Sequence, residues 1–319
     1  MLKISELNLD DDWILSHRGK KNSVDYNRPY ACFVEKERTA RGTLEDVATV
    51  FLTNKECPFH CLMCDLWKNT TDHKVPRGAI PSQIRWALQK LSPVKHIKLY
   101  NSGNFFDEQA IPKEDYEAIA SILTGFNTVV IESHPKLIGK KCLLFNDMLN
   151  AELQVSIGLE TVHPDVLSLL NKQMSLIDFE KSIKILSKHG IKSRAFILLK
   201  PPFLNEDEGV SWAKRSIVYA FETGVECCVV IPTRSGNGAM DWLHANQYFS
   251  PPNIYSLEDV LEYGIQLNRG RVFADLWDLE IFSDCDKCLI NRKQRLHDMN
   301  LQQETKEEVR CSCTSSLNY

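Results

Sequence analysis

The stretch Cys57-Pro58-Phe59-His60-Cys61-Leu62-Met63-Cys64 places three cysteines at a C-x3-C-x2-C spacing on one short loop. It follows an apolar run, Ala48–Thr53, whose β-branched residues are typical of a buried strand. Three thiolates this close together can hold three corners of a four-iron cubane cluster and leave the fourth iron without a protein ligand. The stretch therefore predicts a strand-end loop that carries a [4Fe-4S] cluster with one open iron.

An open iron can be chelated by the amino and carboxylate groups of S-adenosyl-L-methionine (SAM). An electron from the reduced cluster then breaks a carbon–sulfur bond and yields a 5′-deoxyadenosyl radical. The alternative is a zinc knuckle made of the three cysteines and His60 or a distant ligand. Structural zinc sites usually use two separated pairs of ligands, so the spacing favours the cluster.

Composition sets the class of protein. The 319 residues are 43% hydrophobic and 25% charged, which is ordinary for a globular chain. No run of 18 apolar residues exists, and the acidic start MLKISELNLDDDW lacks the apolar region of a secretory signal. We therefore expect a cytoplasmic protein with no membrane association. The net charge of −4 does not indicate a surface built for nucleic acid, although Arg292, Lys293 and Arg295 could form a local basic patch.

Eleven cysteines in a cytoplasmic chain favour metal binding over disulfides. Seven of them cluster, three in 57–64 and four in 285–313. The other four are expected to be small buried hydrophobic residues: Cys32, Cys142, Cys227 and Cys228.

Short apolar runs alternate with helical patterns through the middle of the chain, as βαβ units do. Six strands are predicted, at Ala48–Thr53, His96–Tyr100, Thr128–Glu132, Glu152–Gly158, Ser193–Leu199 and Glu226–Ile231. Helices are predicted between them, at about Ser82–Leu91, Lys113–Leu123, Lys136–Leu149, Pro164–Leu170, Leu176–His189 and Glu206–Thr223.

This pattern predicts an α/β fold, a partial (β/α)6 TIM-like barrel. Residues 1–47 are expected to form an N-terminal cap, 48–233 the core, and 234–319 a C-terminal Cys-rich metal-binding extension. In such barrels the chemistry lies at the carboxyl ends of the strands. His134, Arg194 and Lys200 are expected near that end. A histidine in such a place is more often structural than functional, so we expect a structural role for His134. Lys200 could bind an anion, or it could remain solvated.

The cysteine loop after a strand resembles the hallmark of the radical SAM superfamily. That resemblance implies that Asn101-Ser102-Gly103-Asn104 takes the place of the superfamily's "GGE" motif and receives the SAM amino group. Ser102-Gly103 replaces the glycine pair, and Asn104 replaces the acid. Gly158-Leu159-Glu160-Thr161 resembles the "GLET" sequence of the Elongator catalytic subunit group, which implies that Glu160 faces SAM. Met63 stands where many members place an aromatic residue against adenine.

Further motifs resemble the radical SAM subunit of archaeosine synthase and its uncharacterised relatives. They are Glu35-Lys36-Glu37-Arg38, Ser102-Gly103-Asn104-Phe105-Phe106-Asp107, Leu170-Asn171-Lys172, Lys200-Pro201-Pro202-Phe203 and Tyr248-Phe249-Ser250-Pro251-Pro252. The resemblance implies an electron donor such as ferredoxin or flavodoxin, and a modified tRNA base as substrate. No separate tRNA-binding module is recognisable, so tailoring of a small metabolite or peptide is the alternative. A third alternative is a non-catalytic zinc protein that binds nucleic acid or a partner.

The C-terminal segment carries a second cysteine group. Cys285 and Cys288 form one pair, and Cys311 and Cys313 form another after 22 intervening residues. Two close pairs separated by a helix-length insert are typical of a tetrahedral zinc site, which the spacing favours. Four cysteines also suit a second iron–sulfur cluster, so both metals remain open at this point.

Overall fold

The computed structural model describes residues 7–313, and its centre is one sheet of eight strands. The strands are β1 (Ala31–Arg38), β2 (Leu44–Phe51), β3 (His96–Tyr100), β4 (Thr128–Glu132), β5 (Glu152–Glu160), β6 (Lys192–Leu199), β7 (Cys227–Pro232) and β8 (Arg271–Ala274).

Ten α-helices accompany the described strands. They are α1 (Asp11–His17), α2 (Ala79–Leu88), α3 (Tyr116–Ile122), α4 (Lys140–Met148), α5 (Pro164–Leu169), α6 (Leu176–Lys188), α7 (Glu206–Thr223), α8 (Ala239–Ala245), α9 (Ile254–Gln266) and α10 (Asp286–Gln302). No helix in the described range is long and apolar enough to cross a membrane.

Strands that are neighbours in the sequence are also neighbours in the sheet, from β1 to β8. β1 runs antiparallel to β2, and every later pair is parallel. Parallel strands in sequential order, joined by helices, are the arrangement of a TIM-type barrel. The expected α/β fold with a partial barrel is confirmed.

The sheet is wider than the six predicted strands. β1 lies in the segment assigned to the cap, and β8 lies in the segment assigned to the C-terminal extension. The sequence does not predict β1 as a strand, because Glu35 and Glu37 interrupt its apolar residues. It does not predict β8, because this strand has only four residues. The barrel sheet therefore continues past residues 48–233 at both edges.

Alternate side chains of each strand lie on opposite faces of the sheet. On the outer face, residues such as Val50, Leu99 and Ile197 form the main hydrophobic core, together with helix residues such as Ile183 and Ile217. Burial of these aliphatic side chains is the chief force that holds helices to sheet. The other half of the strand residues faces inward.

The sheet is curved around its inner face, as contacts between the side chains of distant strands show. Arg271 on β8 donates to the Arg38 carbonyl on β1 at 2.6 Å. Arg194 on β6 donates to Glu37 on β1 at 2.5 Å. The two edge strands therefore approach each other, and the sheet encloses an interior as a barrel does.

Two capping boxes show how local sequence fixes the helices. Ser175 and Asp178 exchange hydrogen bonds at the start of α6, and Asn205 and Glu208 do so at the start of α7. Such boxes satisfy backbone N–H groups that have no partner in the helix. Gly190, with φ +70°, follows α6 as predicted, because glycine adopts this left-handed conformation without strain.

Candidate functional site

The cysteine loop lies directly beyond the carboxyl end of β2, where the barrel rule predicts chemistry. Cys61 is buried, Cys57 and Cys64 are half-buried, and none of the three forms a disulfide. Burial raises the pKa of each of these thiols to about 12. A metal cation bound to these sulfurs would favour their thiolate form.

Asn104 ties the loop after β3 to the cysteine loop. Its Nδ2 donates to Cys57 Sγ at 3.1 Å, and its Oδ1 accepts from the His134 backbone N–H at 2.5 Å. The Phe59 backbone N–H also donates to Cys57 Sγ, at 3.4 Å. Donors of this kind stabilise the negative charge of a thiolate ligand.

Gly103 lies against the cysteine loop. A Cβ atom at this position would stand 3.1 Å from the Cβ of Cys57, which is tighter than an ordinary contact. Ser102 adopts φ +51°, and its hydroxyl lies 2.9 Å from that of Tyr30. The predicted motif 101–104 and the predicted cluster loop therefore meet in space.

Glu132, the last residue of β4, is a site residue that no sequence motif indicates. Its Oε1 accepts the backbone N–H of Asn101 at 2.6 Å and that of Gly103 at 3.3 Å. Burial raises the pKa of this carboxyl to about 7. The feature of the sequence that could have indicated this role is an acidic residue at the end of a strand rich in β-branched residues. Glu132 holds the backbone of the 101–104 loop in place.

Asn101 is fully buried, yet neither Nδ2 nor Oδ1 of its side chain has a hydrogen-bond partner within residues 7–313. An unpaired buried carboxamide is costly. The side chain therefore offers one donor and one acceptor to a bound molecule or water.

Glu160 forms a buried ion pair with Lys172, and the Oε1–Nζ distance is 2.6 Å. Burial opposes the charge of Lys172, but Glu160 and the neighbouring Cys61 outweigh it and raise the pKa of the ammonium group. Gly158 makes room for the pair, since a Cβ there would stand 2.0 Å from Glu160 Oε1. Lys172 belongs to the motif Leu170-Asn171-Lys172, but its pairing with Glu160 is not indicated by the sequence, because a separation of twelve residues matches no helical or strand periodicity.

Two asparagines hold the carbonyl groups of the cysteine loop. Asn171 Nδ2 donates to the His60 carbonyl at 3.0 Å. Asn237 Nδ2 donates to the carbonyls of Leu62 and Cys64 at 2.8 and 3.1 Å. Asn171 belongs to the motif Leu170-Asn171-Lys172, and Asn237 belongs to a glycine-rich turn, but neither pattern indicates these contacts.

Met63, the remaining predicted SAM contact, is half-buried and packs against the hydrophobic residues of α8 and α5. His134 is structural: its ring stacks on Phe59 at 3.9 Å, and burial lowers its pKa to about 4, so it is neutral. Lys200 donates to Glu206 at 2.7 Å and to Ser250 at 2.9 Å, so its ammonium group is already paired.

The four C-terminal cysteines form a second group. All four Sγ atoms lie within 4.8 Å of one another, so the predicted pairing of Cys285 and Cys288 with Cys311 and Cys313 in space is observed. Arg292 and Arg295 do not form the suggested surface patch. Both are buried, and both lie in ion pairs with Glu258.

The residues around the first cysteine group fit a cluster and SAM. The sulfurs of Cys57 and Cys61 lie near the Lys172 ammonium, and Cys57 accepts two N–H donors, which suits anionic thiolate ligands. The Asn101 carboxamide has no partner among the described residues, and the Gly103 backbone lies close to Cys57. Polar groups are therefore available beside the cysteine loop.

Similarity to known proteins agrees with this geometry. The chain is 30% identical to archaeosine synthase subunit beta of Thermococcus kodakarensis over 211 residues, which is 63% of this chain and 65% of the relative. It is 23% identical to an uncharacterised protein of Methanocaldococcus jannaschii, over 95% of this chain and 89% of that protein. No protein-family model matches the sequence.

Among solved structures, the Elp3 protein of Methanocaldococcus infernus, a radical SAM enzyme, superposes with a TM-score of 0.51 at 15% identity. The match covers 69% of this chain and 58% of Elp3. The chain has the radical SAM fold. The resemblance to the radical SAM superfamily, and to its Elongator-like and archaeosine synthase-like members, is thereby confirmed. In the radical SAM fold of this chain, the cysteine loop and the 101–104 loop occupy adjacent strand ends.

Proposed function

We propose that the chain is a radical SAM enzyme whose Cys57, Cys61 and Cys64 hold a [4Fe-4S] cluster. The observation that carries the proposal is the meeting of the cysteine loop with Gly103 and Asn104 at the strand ends of a radical SAM fold. When bound, the cluster and SAM would supply a 5′-deoxyadenosyl radical that abstracts hydrogen from a substrate.

The chain's own residues would hold these groups. Asn104 and the Phe59 N–H donate to Cys57 Sγ, and Lys172 adds a buried positive charge near Cys57 and Cys61. Asn101, Ser102, Gly103, Asn104, Glu160 and Met63 would contact SAM. The reaction consumes one electron for each SAM, so a reduced donor such as ferredoxin or flavodoxin is the proposed partner, and the cytoplasm is the proposed compartment.

The interior of the barrel supports a flat, ring-shaped substrate. Five aromatic residues, here called the aromatic layer, follow one another with ring centres 5.8, 6.0, 5.9 and 6.3 Å apart: Trp277, Phe33, Phe51, Tyr100 and Phe196. The four strand residues among them face the interior, since their sequence neighbours belong to the outer core or pack against it. They are nevertheless half-buried rather than buried, so they border open space.

The position of the aromatic layer suits a substrate for radical attack. Phe51 ends β2 shortly before the cysteine loop, and Tyr100 ends β3 directly before Asn101. Below these rings lie Lys98, Arg194 and Glu37, which are bound to one another. Aromatic rings such as those of the aromatic layer can stack on a nucleobase, and nearby polar groups can form hydrogen bonds with the edge of the base.

We therefore propose a tRNA nucleoside as the substrate. The name archaeosine synthase subunit beta, carried by a relative that matches 63% of this chain, supports the same class. With a net charge of −4, recognition would rest on stacking in the barrel more than on a basic surface.

The test compares the modified nucleosides of tRNA from wild-type cells, deletion cells and complemented cells. We expect one modified nucleoside to vanish in the deletion strain and its precursor to accumulate. Complementation with the wild type should restore it. Complementation with Phe51→Leu should restore less, because one stacked base–aromatic contact contributes about 1–3 kcal/mol. Identical nucleoside profiles in wild-type and deletion cells would reject tRNA as substrate and leave the SAM chemistry to be tested separately.

A further inference from the structure

We propose that the four C-terminal cysteines bind a single zinc ion and not a second iron–sulfur cluster. This site is separate from the proposed radical chemistry, because its residues lie at the start of α10 and in the segment that follows that helix. The sequence leaves both metals open, and the distances between the sulfur atoms distinguish them.

The four sulfur atoms lie close together, all within 4.8 Å of one another. Cys285 Sγ lies 3.8 Å from Cys311 Sγ, and Cys288 Sγ lies 3.6 Å from Cys313 Sγ. A tetrahedral zinc ion with zinc–sulfur bonds of about 2.3 Å requires sulfur–sulfur distances of about 3.8 Å. The four cysteines are therefore arranged around one metal ion.

A four-iron cubane requires a different arrangement. Each cysteine then binds a different iron, which separates the sulfurs by about 6 Å or more. All four sulfurs lie within 4.8 Å of one another, so a cubane cannot fit among them unless the cysteine side chains move apart. Within residues 7–313 no other group of three or more potential ligands is so tight, and the Cys57 loop is not one.

The surroundings compensate the charge of such a centre. Four thiolates around a zinc ion carry two net negative charges. Arg292 Nε donates to Cys288 Sγ at 3.3 Å, and the Tyr255 hydroxyl lies 2.9 Å from Cys313 Sγ. The guanidinium group also lies 3.9 Å from the centre of the Tyr255 ring. Partners of this kind orient metal ligands and increase metal affinity.

The zinc ion would fasten the segment that follows α10 to that helix, which lies at the edge of the sheet. Cys285 and Cys288 stand at the start of α10, and Arg292 holds the following segment through the Val309 carbonyl at 2.9 Å. At the other end of α10, Asn300 and Gln303 bind the free backbone edge of β8. Side chains of α10 and of Gln303 after it thereby cover the edge of β8 that pairs with no following strand, and this protects the edge from pairing with strands of other molecules.

The direct test is metal analysis of the Cys57→Ala/Cys61→Ala/Cys64→Ala variant, in which the C-terminal site is untouched. We expect about one zinc per chain and almost no iron. Should this variant fail to fold, anaerobically reconstituted wild type is analysed instead, and about four irons with about one zinc are expected. About four additional irons, or one iron in place of the zinc, would overturn the proposal.

A second measurement tests the role of Arg292. Arg292→Gln should weaken zinc binding about 10- to 100-fold, measured by competition with a chromogenic chelator. Lys293→Gln is the matched control, because Lys293 is adjacent in sequence but pairs with Glu280 on the surface. Replacement of zinc by cobalt should give the intense absorption of tetrahedral thiolate coordination. Equal zinc affinity in both variants, or the weak absorption of octahedral cobalt, would contradict the proposed centre.

Discussion

Glu160 and Lys172 illustrate how single residues support the site. Their side chains are 8% and 10% exposed, and the carboxylate is the counterion of an ammonium group that lies near Cys57 and Cys61. Removal of one partner from a buried ion pair leaves an uncompensated charge, whereas replacement of both by apolar residues is often tolerated. Each of the two charges therefore needs the other in the folded chain, in addition to the role of Glu160 in the proposed SAM site.

We expect Glu160→Gln to lower the free energy of unfolding by about 3–5 kcal/mol, because Lys172 loses its counterion. SAM affinity should fall about ten- to a hundredfold, since a charged acceptor is lost. The measurements are chemical denaturation and SAM titration, followed by the paramagnetic resonance signal of the reduced cluster.

The double variant Glu160→Leu/Lys172→Met is the control for this prediction. It should recover much of the stability but not the SAM affinity, which separates the two roles. If Glu160→Gln binds SAM as tightly as the wild type while the iron content is unchanged, Glu160 does not contact SAM.

At the level of strands, β1 connects the two edges of the barrel through charge. Glu37 accepts from Arg194, Lys98 lies 2.5 Å from its Oε2, and Arg271 lies 3.5 Å from its Oε1. Burial alone would raise the pKa of Glu37, but the Arg194 and Lys98 cations outweigh it and hold that pKa well below its usual range. One carboxylate thus joins residues of β3, β6 and β8 to β1.

Glu37→Gln should lower the free energy of unfolding by about 3–5 kcal/mol at neutral pH, because three cations lose their shared anion. A carboxyl whose folded pKa is depressed stabilises the fold above its unfolded pKa of about 4.3, and this contribution is lost as pH falls below it. Acidification should therefore destabilise the wild type in part through protonation of Glu37. The stability of the Glu37→Gln variant should depend less on pH in this range. Thermal unfolding across this pH range measures both effects.

Glu114→Gln is the matched control, since Glu114 is exposed and lies at a helix start away from the barrel interior. It should change stability by less than about 0.5 kcal/mol. Equal effects of the two substitutions would show that the interior charges do not hold β1.

The same elements show what could be predicted from sequence. The bounds of His96–Tyr100 and Thr128–Glu132 agree with the prediction residue for residue. The second strand has the apolar run typical of a parallel strand, and in the first strand apolar residues alternate with polar ones. β1 was missed because its acidic residues, typical of a surface, are paired inside the barrel. The cysteine positions follow from spacing alone, whereas the contacts of Glu132 and Lys172 depend on distant segments that no local pattern reports.

On the scale of the whole molecule, segments from before and after the barrel core pack around the cysteine loop. From the N-terminal segment, Asp11 lies 3.1 Å from His60, and Trp13 contacts Trp242 of α8 with ring centres 5.3 Å apart. From the C-terminal segment, Asn237 binds the carbonyls of Leu62 and Cys64. Segments on both sides of the barrel core thus enclose the loop that would carry the cluster.

The central claim is tested most directly by SAM cleavage. Anaerobically reconstituted, reduced protein is incubated with SAM, and 5′-deoxyadenosine is measured by mass spectrometry. The wild type and the Cys32→Ala control, which lies outside both cysteine groups, should release it. The Cys57→Ala/Cys61→Ala/Cys64→Ala variant should release none, because no thiolates remain to hold the cluster. Release of 5′-deoxyadenosine by that triple variant, or its absence from the iron-loaded wild type, would contradict the assignment.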